Sequence, residues 1–148
     1  MFQTSIQRKA AFLLILTVAL FQFSCKKETV ELSLAQQVEG TYNAVSIDIG
    51  GTVVPMPITD NQTKLDVSFI ITSKTDNTMD VEQVLTQTTN GVATKDSELQ
   101  SGLVLIKKTD GSISLMNGNV EFGSVTSNKF KLVTEFNGLS TVFMAVKI

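Results

Sequence analysis

The stretch Thr63 to Thr72, TKLDVSFIIT, alternates with a period of two: Leu65, Val67, Phe69 and Ile71 share one face, and Lys64, Asp66 and Ser68 the other. Successive side chains of a strand point to opposite faces, so this is the pattern of a half-buried β-strand. MDVEQVL repeats it, with Met79, Val81 and Leu85 set against Asp80, Glu82 and Val84. KFKLVTEF repeats it again, with Phe130, Leu132, Thr134 and Phe136 on one side and Lys129, Lys131, Val133 and Glu135 on the other. The segments between are short and rich in turn residues. Gly50-Gly51, Asn90-Gly91, Asp110-Gly111, Asn117-Gly118 and Asn137-Gly138 are dipeptides that tolerate the positive φ of tight hairpins. Connections this short join antiparallel neighbours, because a parallel crossover needs about a dozen residues.

The count comes to about eight strands, near 40–49, 52–58, 63–72, 78–88, 92–98, 102–108, 112–116 with 119–125, and 129–136 with 139–147. Pro55 and Pro57 make the second a short or edge strand, since proline cannot donate to a ladder. Ala93 to Gly102, ATKDSELQSG, is polar on both faces and reads as a mobile loop as readily as a strand. The fold class is all-β: an antiparallel up-and-down meander closing into a small barrel, with a two-sheet sandwich as the alternative. Leu34 and Val38, four residues apart, fit one helical turn ahead of the first strand.

The start of the chain obeys a different pattern. Arg8 and Lys9 precede an apolar run, Ala10 to Phe23, that is too short to cross a bilayer, for which about 20 residues are needed. Its length and flanks are those of a secretory signal. Ser24 and Cys25 follow, then Lys26, Lys27 and Glu28. This order resembles the signal of Bacteroidota-type bacterial lipoproteins, in which a peptidase cuts before a cysteine carrying diacylglycerol. Gln22 stands where the stricter motif has Leu, Val or Ile. The resemblance implies a signal peptide over 1–24, a lipidated Cys25, a tether over 25–37 and a β domain over 38–148. It also implies anchoring to the outer membrane by the N-terminal lipid.

A second resemblance starts at Gly40-Thr41-Tyr42. The trio is similar to the Gly-x-Trp motif at the closed end of lipocalins, with Tyr42 in place of Trp and no Arg left to stack on it. It is closer to the small lipocalin-like domains of Bacteroidota lipoproteins. The resemblance implies a barrel able to hold a small apolar ligand. Tyr42, Leu65, Val67, Phe69, Phe130, Leu132 and Phe143 are the residues that would line such a site. The same residues are equally suited to fill a core, because small barrels have little room beyond their own side chains.

Composition narrows the chemistry. The chain has no His, and its one Arg and one Cys are Arg8 and Cys25. Without residues 1–24 it carries ten basic and 14 acidic residues, a net charge of −4. Such a chain lacks the basic, guanidinium-bearing surface that phosphate backbones favour, so nucleic-acid binding is not expected. With no histidine and no free thiol in the processed chain, His/Cys zinc sites and Ser-His-Asp triads are excluded. Asp76, Asp80 and Glu82 crowd one turn, but Asp80 and Glu82 fall on the polar side of their strand and read as a solvated face. No catalytic residue, metal ligand or cofactor is therefore expected. Two function classes remain: a binding domain for a small hydrophobic ligand, and an accessory domain that binds an envelope protein through its outer surface.

Overall fold

The computed structural model describes residues 31–136 and 138–148. The expected signal segment 1–24, Cys25 and the expected tether up to residue 30 lie outside the described residues, as does Asn137 of the last expected turn. A short helix, α1 (Leu34–Val38), leads into ten strands. These are β1 (Gly40–Ile49), β2 (Thr52–Pro55), β3 (Ile58–Asp60), β4 (Thr63–Thr75), β5 (Thr78–Thr89), β6 (Val92–Lys107), β7 (Ile113–Asn117), β8 (Val120–Thr126), β9 (Lys129–Phe136) and β10 (Leu139–Lys147). The compact unit runs from Leu32 to Ile148 and so begins within the expected tether.

Every neighbour is antiparallel, and the ring β1-β10-β9-β8-β7-β6-β5-β4 closes through a β1–β4 pairing at Gly40 to Asn43. The chain is thus an eight-stranded lipocalin-like barrel rather than a two-sheet sandwich. The remaining strands, β2 and β3, extend it where β1 and β4 part. β2 pairs with Ser46 to Ile49 of β1, and β3 with Thr63 to Leu65 of β4. The expected strand 52–58 is therefore two strands, divided at Met56-Pro57, and both lie at the edge of the sheet, the position that suits Pro55 at the end of β2.

Tight turns set the register. Gly50 and Gly51, at φ +57° and +91°, close the β1–β2 hairpin. Asn90 and Gly91, at +52° and +80°, close the long β5–β6 hairpin. Positive φ at both central residues matches the twist of the flanking strands. That hairpin overturns the reading of Ala93 to Gly102 as a mobile loop. The segment is part of β6, paired with β5 from Val92 to Gln100, and the expected strands 92–98 and 102–108 are one element. The ladder reaches Val92 because the turn holds it in register, although neither face is apolar.

Asp80 is the second correction. Instead of a solvated position it is buried, and its carboxylate accepts the Gly102 N–H at 3.0 Å and pairs with Lys74 at 3.0 Å. The Gly102 N–H and then the Lys74 ammonium hold its carboxyl below the usual range. The β5–β6 register slips at this point, and Gly102 takes φ +72°. A bulge of this kind bends the strand and strengthens its twist. β6 therefore changes course between its upper part and the segment that meets β7.

One end of the barrel is sealed. Ser33 and Gln36 form a capping box at the start of α1, which satisfies helix N–H groups that would otherwise lack partners. Ala35 and Val38 are buried and join a core that includes Tyr42, Ile71, Met79, Leu103, Leu115 and Phe130.

Candidate functional site

The sealed end is built on Tyr42. Gly40 adopts φ +144°, a conformation open to glycine and strained for other residues, as the chain passes from α1 into β1. Two residues on, the Tyr42 ring is fully buried and its hydroxyl donates to the Val38 carbonyl at 2.6 Å. The Lys147 ammonium lies 5.8 Å from the ring centroid, within cation–π range. A lysine of the last strand thus stands over the motif aromatic where no arginine was available. Burial pushes the Tyr42 hydroxyl up to about 12 from its ordinary 10.0. The native state therefore holds this proton more tightly than the unfolded chain does. Its contribution to stability is complete below pH 10 and is lost as pH rises through 12. Tyr42→Phe is expected to cost about 1 kcal/mol at neutral pH, for one hydrogen bond. It should also remove this part of the alkaline loss of stability, measured by urea titration between pH 9 and 12. An unchanged alkaline slope in the variant contradicts the assignment.

The seven residues expected to line a ligand site come together, and most are packed against one another. Tyr42, Val67, Phe69, Phe130, Leu132 and Phe143 are buried, while Leu65 is half-buried nearer the other end. Phe69 meets Phe130 edge-on at 5.1 Å and Phe143 at 5.7 Å, and Tyr42 lies 5.7 Å from Phe130. Edge-to-face rings at these spacings are favourable contacts beyond their burial. Gly123 makes room for them, because a Cβ there would sit 2.9 Å from the Phe130 ring.

Toward the wide end the inner face changes character. Register places Gln83, Leu85 and Gln87 of β5 on the face of Val67 and Phe69, opposite Glu98, Asp96 and Thr94 of β6. Here β7 covers the outer edge of β6 only from Val104 to Lys107. Among the described residues, no ladder covers that edge from Val92 to Leu103. β8 likewise meets β9 only from Lys129 to Leu132. A pocket of about 80 Å³ opens beside this gap, lined by Val81, Gln83, Glu98, Gln100, Phe122, Leu132 and Thr134. Its floor is apolar, from Val81, Leu132 and Phe122, and its rim carries amides, a hydroxyl and the Glu98 carboxylate. None of Gln83, Glu98, Gln100, Phe122 and Thr134 was singled out from the sequence as a site residue. The available signal was the Asn90-Gly91 turn, which demands a paired strand on both sides and so puts Glu98 and Gln100 opposite Gln83 and Val81.

No protein-family model, curated protein or solved structure matches the chain. The fold and the site therefore rest on its own residues.

Proposed function

We infer that the chain is an exported, lipid-anchored envelope protein whose lipocalin-like barrel binds a partner and is not an enzyme. The order Arg8-Lys9, apolar run, Ser24, Cys25 supports export and lipidation, with the lipid on Cys25 holding the barrel at the outer membrane. Absence of histidine, of arginine beyond Arg8 and of a second cysteine supports binding over catalysis, since the commonest acid-base, phosphate-clamping and nucleophilic groups are missing.

The interlocked rings of Phe69, Phe130 and Phe143 carry the choice between the two kinds of partner. A lipid-like ligand lying against Leu65, Val67, Phe69, Phe130, Leu132 and Phe143 would have to separate side chains already in contact. The pocket of about 80 Å³ beside them is small against the 300–1,000 Å³ of typical ligand sites. An envelope protein, met at the wide end and outer surface, is the better-supported partner.

Native and intact mass spectrometry of protein taken from its own membrane fraction tests this reading. The expected species begins at Cys25, carries acyl chains, retains no apolar ligand and is recovered with another envelope protein after mild cross-linking. An unmodified full-length chain in the soluble fraction contradicts the anchoring, and a co-purified lipid contradicts the choice of partner.

A further inference from the structure

We propose that the uncovered edge of β6, Val92 to Leu103, receives an extended basic peptide segment as an added strand, with one lysine side chain filling the adjacent pocket. The proposal rests on the reading of the barrel as a binding module and names the chemistry of its partner. Three observations converge on it. The edge is a long row of backbone groups with no ladder on its outer side among the described residues, and such a row is a template for another strand. The pocket beside it has an apolar floor of Val81, Leu132 and Phe122 under a rim of Gln83, Gln100 and Glu98. That is the shape of a lysine site, since the side chain buries its methylene stem and keeps its ammonium on polar oxygens. Alternation, finally, puts Asp96 and Glu98 on the inner face of the same edge. A strand with Lys at every second position would set its cations beside both carboxylates.

The same charges argue against a second copy of this chain as the occupant. The antiparallel pairing of two β6 edges that overlaps them most fully, with their inner faces together, sets Asp96 of one copy against Glu98 of the other. Like charges opposed across a ladder are destabilising. The pattern turns away self-pairing and favours a basic strand.

A fluorescein-labelled peptide alternating Thr and Lys, titrated into the full chain in detergent, is the test. Saturable binding is expected, together with slower amide hydrogen exchange over Val92 to Leu103. Glu98→Gln, which keeps the side chain's shape, should weaken binding about tenfold, the loss of roughly one charged hydrogen bond. Two control peptides need no variant of the protein. One alternates Thr and Glu, and the other alternates Pro and Lys, so that it keeps the charge but loses every second N–H. Neither should bind. Equal binding of the Pro–Lys peptide would reduce the interaction to charge alone and overturn the proposal. No saturable binding of the Thr–Lys peptide overturns it as well, as does a concentration-dependent dimer that buries the β6 edge. Those failures leave the binding-module reading to the co-purification experiment, which does not depend on the peptide.

Discussion

Phe69→Ala is expected to destabilise the barrel by about 3–5 kcal/mol, the cost of emptying a well-packed aromatic site. Phe69 is fully buried and touches two rings at once, Phe130 at 5.1 Å and Phe143 at 5.7 Å, with Val67 and Ile71 beside it on β4. Deleting its ring removes transfer free energy and leaves a cavity that three strands of a closed ladder cannot collapse to fill. Domains of this size have about 5–15 kcal/mol in total, so the variant should unfold at a far lower urea concentration with little change in the slope of the transition. A loss below about 1 kcal/mol would mean that the ring faces a hollow interior, and the account of a filled core would be wrong.

Gly123→Val should be nearly as damaging for the opposite reason. A Cβ at Gly123 would stand 2.7 Å from the Lys131 carbonyl oxygen, as well as 2.9 Å from the Phe130 ring. The carbonyl belongs to the β8–β9 ladder, where Ser124 pairs with Lys131, and it cannot retreat without breaking that pairing. Overpacking of this kind costs about 1–3 kcal/mol, and a branched side chain against backbone belongs at the upper end of that range or above it. Ser124→Ala, one residue on and on the outer face, should stay within about 0.5 kcal/mol. Equal stability of Gly123→Val and Ser124→Ala in urea titrations would contradict the close approach of β8 to Phe130.

Much of the fold was legible because the strands that face the core announce themselves. Leu65, Val67, Phe69 and Ile71 alternate without a break, and the structure puts all four on the inner face of β4. Gly50-Gly51 and Asn90-Gly91 are hairpin turns as read. The helical turn at Leu34 and Val38 is present, and its buried side, Ala35 and Val38, seals one end of the barrel. β6 was illegible over Ala93 to Gly102 because both of its faces are polar there, so that periodicity has nothing to report. It is a strand because β5 and the Asn90-Gly91 turn hold it. Asp80 was misread for a related reason. Its place on the polar side of β5 is visible in the sequence, but the bulge at Gly102 that aims an N–H at its carboxylate is a tertiary feature. The break between residues 125 and 129 was read correctly, but not that Ser127 takes φ +56° there, because a positive φ is uncommon for serine.

The candidate site divides in the same way. Tyr42 and the six apolar residues of the expected lining were found by alternation, which reports a face and not whether that face is filled. The pocket between β6 and β9 depends on how far β7 and β8 reach, and strand length sets that reach. β7 has five residues against the 16 of β6, so among the described residues the edge of β6 from Val92 to Leu103 and the neighbouring face of Gln83, Glu98 and Gln100 are left uncovered.

Titration of the full chain with a hydrophobic, polarity-sensitive dye tests the filled interior most directly, with the wild type and Phe69→Ala measured side by side under conditions where both are folded. A barrel filled by Tyr42, Phe69, Phe130 and Phe143 should take up no dye as the wild type, and should gain a saturable site only when the Phe69 ring is removed. Saturable uptake by the wild type, displaced by a fatty acid and unaffected by Thr–Lys peptide, would show an interior that holds an apolar ligand and would contradict the account.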